Sequence, residues 1–270
     1  MLDCRGPARR RVVACLGLLL LVDVRAATGQ QVPNPQPASA PAFLPRLDVA
    51  FSWAALVTPD PRFAWAARLG ADLDLVDYRV GRLNLVVDYE AVLGSERRAF
   101  DLNHGNYVLE ASSSYRVASV DLRGVFHHVS RHLSDRPNLD TIAWNVVALR
   151  AVRQFGVGRS TVDVRVDAGR VLQHTFVDYV WTGELEFAIR RPVSPRAGLF
   201  ADGTGDLVGV DRTVAQRDRQ CGARVEAGVR LNGREGALEL FAGYERRIDA
   251  YPLDRHRSRW FSVGFRLISR

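Results

Sequence analysis

The stretch VDLRGVFHHVS, residues Val120 to Ser130, with the loop RHLSDRPNLD and the run TIAWNVVALR after it, decides the fold. At strand period, Val120, Leu122, Gly124, Phe126, His128 and Ser130 share one face, and Asp121, Arg123, Val125, His127, Val129 and Arg131 share the other. The first face is apolar until its far end, where an imidazole and a hydroxyl stand together. The second face carries the charges. In a soluble sheet the charged face looks out to water. When the same pattern recurs strand after strand, with both charge signs on each polar face, the reverse assignment fits better: lipid outside, a wet and ionic interior.

It does recur. Leu47 to Trp53, Trp65 to Leu75 and Leu83 to Tyr89 alternate apolar and polar residues, and the pattern continues through Tyr107 to Tyr115 and from Thr141 to Arg153. Val162 to Ala168, Tyr179 to Ile189, a weaker run over Ala197 to Thr204, Ala223 to Leu231, Leu238 to Tyr244 and Phe261 to Leu267 complete it. The periodicity predicts about twelve strands, with ten as the count if the weak run fails. The fold class is therefore all-β: an antiparallel transmembrane β-barrel over 46–270, closed so that every backbone group finds a partner in lipid. Trp53, Trp65, Tyr107, Tyr179, Trp181 and Trp260 fall near strand ends, as interfacial girdles require.

The connections agree. With the first strand starting in the periplasm, the odd connections read as long (TPDPR, Leu93 to His104, Arg131 to Asp140, LQHTFVD, Gly203 to Gln220, Arg246 to Arg257). The even ones read as tight, among them FGVGR and an Asn232-Gly233 hairpin. The start of the chain points to export. Arg5 and Arg9 to Arg11 precede the apolar run Val12 to Val22 and the small residues Ala26 and Ala27, so 1–26 reads as a signal peptide. The Pro-rich stretch after it makes 27–45 a disordered periplasmic lead-in. The chain belongs on this reading in the bacterial outer membrane. Its formal net charge of +7 comes entirely from Arg, which interleaves with Asp and Glu instead of forming a stripe, so nucleic acid is not an expected partner.

Chemistry is expected at the external end of the fifth strand. His128 and Ser130, two residues apart on one face and about 7 Å apart along the strand, pair a base with a hydroxyl, the start of nucleophilic acyl transfer. Asn145 falls on the same face of the next strand as Ala143, Val147 and Leu149, and can orient the imidazole. Three polar groups facing lipid are costly unless they serve a role. His127 reads as a lumen or rim side chain and His132 as a loop residue.

The segment His128-x-Ser130, Ser134-Asp135, Trp144-Asn145 resembles the catalytic segment of outer-membrane phospholipase A, over about eighteen residues. The resemblance implies a twelve-stranded barrel that hydrolyses acyl esters of membrane lipids, with His128 as base, Ser130 as nucleophile, Asn145 as orienter and Asp135 as a calcium ligand. It also implies homodimer formation. Where that family has Asn-Gly after the serine, this chain has Arg131-His132. The same segment is similar to the lipid A deacylase barrels, through Pro137-Asn138 and Asp140. The string His128-x-Ser130-x-His132-Leu133-x-Asp135 is similar to a bacterial outer-membrane barrel family of no known activity. The last strand, FSVGFRLISR, resembles the terminal strand that the barrel-assembly machinery recognises, except that it ends on Arg270. The alternative to an esterase is a non-enzymatic barrel, either a narrow pore or a structural, lipid-contacting protein.

Overall fold

The structure is a computed structural model that describes residues 40–134 and 140–269. The expected signal peptide, most of the lead-in and Asp135 lie outside the described residues. Twelve antiparallel strands close on themselves, each paired with its sequence neighbours and β1 with β12. They are β1 (Ala42–Val57), β2 (Trp65–Asp77), β3 (Arg82–Gly94), β4 (Asp101–Val117), β5 (Val120–Leu133) and β6 (Ile142–Val157). The second half is β7 (Ser160–Thr175), β8 (Tyr179–Pro192), β9 (Ala197–Val210), β10 (Gln220–Asn232), β11 (Gly236–Arg247) and β12 (Ser258–Ser269). Among the described residues no helix is long and apolar enough to cross a membrane.

Several strands outrun the sequence expectation at their ends. The first begins at Ala42, inside the stretch expected to be lead-in, β7 runs on to Thr175, and the weak ninth strand runs on to Val210, which makes the count twelve. The reason is common to all three. Strand ends that leave the apolar slab keep their ladder partners but lose the lipid that enforces alternation, so their residues read as loop. Loops 211–219 and 248–257 lie at one end and tight turns at the other. At the tight end Ala118 (φ 51°) and Gly158 (φ 59°) sit in two-residue turns and take the left-handed conformation such hairpins need.

The wall is inside out. Leu149 is 76% exposed, Val147 46% and Phe126 44%, all facing outward, while Glu239 is fully buried within. In the lumen Arg247 of β11 reaches across to Glu90 of β3 with two parallel bonds (2.7 and 2.8 Å). Arg150 of β6 donates to Glu110 of β4 (2.5 and 2.7 Å) and to Asp167 of β7 (2.8 Å). Arg266 of β12 joins Glu239 (2.8 Å) and Glu226. Apolar side chains fill between these networks. Ala54, Phe200 and Phe241, from β1, β9 and β11, form one buried cluster, with the Arg266 guanidinium over the Phe241 ring at 5.2 Å and that of Arg190 over Phe200 at 5.6 Å. Ion pairs that reach across the bore, with packed rings between them, occupy part of the lumen.

Candidate functional site

Alternation places the candidate residues on the outer wall, and the inward neighbours hold them there. On β5, His127 turns inward, with Nδ1 at 3.5 Å from Glu110, and Val129 is buried. Trp144 and Val146 of β6 are buried in the same inner cluster, with Tyr179 edge-on to Trp144 at 5.2 Å and the Arg131 guanidinium over it at 5.4 Å. Their outward neighbours on the two strands are therefore His128, Ser130, Ala143 and Asn145. Register does the rest: His128 stands directly opposite Asn145, and Ser130 opposite Ala143.

The imidazole and the amide meet. His128 Nδ1 and Asn145 Oδ1 are 2.7 Å apart, and Asn145 Nδ2 donates to Gln173 Oε1 at 3.2 Å. Because an amide oxygen only accepts, the bond puts the imidazole proton on Nδ1 and leaves Nε2 as the basic nitrogen. This is the tautomer that an orienting residue imposes on a catalytic base. The hydroxyl is placed differently from the sequence expectation. Ser130 Oγ lies 3.3 Å from Nε2 of His132, which is its hydrogen-bond partner among the described residues. His132 is not in a loop: β5 continues to Leu133, and the same period that aligns His128 with Ser130 carries His132 onto the outer face. There its ring stands edge-on to Tyr107 at 5.2 Å, and Tyr107 packs on Tyr89 at 4.6 Å.

Two residues of this outer patch escaped the sequence reading. Gln173, assigned to a connection, lies on β7 and extends the hydrogen-bond chain of His128 and Asn145 from β5 and β6 to β7. Arg170, opposite Val147, is an exposed cation on the lipid-facing side beside Trp181. Arg170 continues the parity of Val162, Val164, Val166 and Ala168 and so was readable as outward, whereas the register irregularity between Asn145 and Val146 lets β7 skip one residue before Gln173, which simple alternation would have turned inward. As for metal, no group of three His, Cys, Asp or Glu able to hold an ion occurs among the described residues.

A closed antiparallel barrel with an apolar outside and an ionic inside is a transmembrane β-barrel of the outer-membrane class. Solved structures of that class resemble it. Outer membrane phospholipase A from Escherichia coli overlays with TM-score 0.53 at 12% identity, over 84% of this chain and 98% of that one. The Salmonella typhi outer membrane phospholipase dimer with bound calcium overlays with TM-score 0.52 at 13% identity, over 89% and 94%. LpxR from Salmonella typhimurium gives TM-score 0.48 at 8% identity over 82% and 99%, too loose an overlay to argue from. No family model and no curated protein matches the chain. The likeness to the phospholipases, first met in one short segment, thus extends to the whole barrel as a likeness of fold, and the chain has the architecture of bacterial outer-membrane proteins.

Proposed function

We propose that this outer-membrane barrel is a serine esterase that cleaves acyl esters of outer-leaflet lipids at its external rim. The observation that carries the reading is the 2.7 Å contact between His128 Nδ1 and Asn145 Oδ1 on the lipid-facing wall, which fixes a basic Nε2 two residues from a serine. In the reaction Ser130 Oγ attacks the acyl carbonyl as its proton passes to His128 Nε2. The ester C–O bond then breaks and the imidazolium protonates the leaving alcohol. Water, deprotonated by the same nitrogen, releases the fatty acid from Ser130. The reaction requires that rotation about the Ser130 Cα–Cβ bond turn the hydroxyl away from His132 and toward His128. Membrane lipid diffusing along the wall reaches these groups without leaving the bilayer.

Calcium bound near Asp135 would polarise the scissile carbonyl. The described residues supply no ligand cage, and sensitivity of the hydrolysis to a chelator tests it. Self-association into a homodimer, which would cover the outer patch, is a further part of the reading. Insertion of the barrel by the assembly machinery is another.

The test is release of fatty acid from phospholipid micelles by refolded protein, with calcium and with chelator. The reading expects hydrolysis that Ser130→Ala abolishes. Hydrolysis that survives Ser130→Ala removes the site. The Ser130–His132 pairing favours the second reading, a non-enzymatic lipid-contacting barrel, and absence of hydrolysis from a folded preparation would establish that one instead.

A further inference from the structure

On the wall opposite the Ser130 patch, six strands around the barrel, two arginines stand side by side facing out. Glu245 and Arg247 of β11 turn into the lumen, where Arg247 bonds Glu90 and lies 5.3 Å over the buried ring of Trp260. By alternation Arg246, between them, points outward, and so does Arg259, next to the inward Trp260. The ladder pairs Arg246 directly with Arg259. Neither has a carboxylate partner among the described residues. Like charges directly opposite one another in a ladder repel, so the pair is a local cost that no neighbour of this chain relieves.

Its surroundings indicate what does. One step toward the membrane centre, Tyr244 and Phe261 pack together at 5.2 Å, which marks the aromatic belt and puts the two guanidiniums at headgroup height. Beside Arg246 the next two strands offer only Ala223 and Gly205, and a side chain at Gly205 would meet nothing closer than 4.0 Å. The result is a shallow, open floor flanked by cations, above an exposed apolar surface of Val225 and Val263. Paired guanidiniums bind the oxygens of one phosphate through parallel charge-assisted bonds.

We propose that Arg246 and Arg259 form a binding site for the phosphate of a membrane lipid, whose acyl chains lie along Tyr244, Phe261, Val225 and Val263. The site is separate from the acyl-ester chemistry and stands whether or not the barrel is an esterase.

The test titrates the full barrel, held in a non-ionic maltoside detergent, with phosphatidic acid, with diacylglycerol and with inorganic phosphate, and follows bound lipid by native mass spectrometry. Saturable binding of phosphatidic acid is expected, with no comparable binding of diacylglycerol. The double variant Arg246→Gln, Arg259→Gln should weaken it by about tenfold or more, whereas Arg257→Gln, on the exposed external loop, leaves it unchanged. Wild-type affinity in the double variant, an equal loss in Arg257→Gln, or inorganic phosphate binding as tightly as the lipid would overturn the proposal. If the double variant does not refold, Arg246→Gln and Arg259→Gln are titrated singly. Each should lose part of the affinity, and wild-type affinity in both is equally fatal.

Discussion

Removing the guanidinium of Arg150 is the sharpest probe of the lumen. Its side chain is 6% exposed and faces Glu110, 7% exposed, and Asp167, 14% exposed. It makes four bonds to them, of 2.5 to 3.0 Å. Arg150→Ala therefore strips two carboxylates inside the barrel of their main partner, leaving Glu110 only the His127 ring at 3.5 Å and Asp167 only the longer pairing with Arg165 at 3.7 Å. Breaking a buried pair by deleting one partner costs about 3–5 kcal/mol. The same deletion in a water-filled channel, where solvent screens both carboxylates, costs about 0–1 kcal/mol. The two descriptions of the lumen thus differ by several kcal/mol at one residue. Urea titration of the barrel in micelles, followed by the gel mobility shift between folded and unfolded forms, measures the difference. Neutralising the whole cluster, with Arg150→Met, Glu110→Gln and Asp167→Asn, should restore most of the loss, since no charge is then left alone. A loss below about 1 kcal/mol for Arg150→Ala would show that the lumen is hydrated, as the pore reading requires.

Three further outcomes follow. Leu149→Arg, placed mid-strand on the outer wall at 76% exposure, should destabilise the barrel in a bilayer by about 2–4 kcal/mol; a neutral effect on refolding into vesicles would mean that this face does not meet lipid. His128→Ala should lower kcat by about 10²–10⁴-fold, and Asn145→Ala by less, in the fatty-acid assay; activity lost in His132→Ala but kept in His128→Ala would move the base to His132. At the external end Arg62 joins Asp60 (2.8 Å) to Asp254 (2.7 Å), latching loop 58–64 to loop 248–257. The hydrogen bond from Arg62 holds the Asp60 carboxyl below its ordinary value of 3.8. A depressed folded value means the latch is at full strength above 3.8 and weakens as pH falls through the lower, folded one, so amide exchange in loop 58–64 should rise only under strong acid. Faster exchange already at pH 6 would contradict the latch.

The barrel was legible because lipid imposes one rule on every strand, and most Arg, Asp and Glu of the strands obey it, with Arg170, Arg246 and Arg259 among the exceptions that face outward. What the pattern missed lies beyond the slab. Gln173 and the upper half of β9 pair through their backbones in the external hairpins, where either face meets water and alternation carries no information. Opposition of His128 and Asn145 could be anticipated from shared parity and a loop of ten residues, and the register bears it out. The Ser130–His132 bond was equally present in the parity of β5. Arg131-His132 nevertheless reads as the start of a polar loop, because no periodicity says where a ladder ends. The lipid-facing Arg246–Arg259 pair depended on register between strands, which a single strand's alternation does not contain.

The central claim, a nucleophile on the lipid-facing wall, is tested most directly by covalent trapping. A long-chain alkyl sulfonyl fluoride, delivered from micelles to the refolded barrel and mapped by peptide mass spectrometry, should modify Ser130 alone among the serines, and His128→Ala should prevent it. An adduct on another serine, or modification of Ser130 that proceeds as fast without His128, would contradict the account.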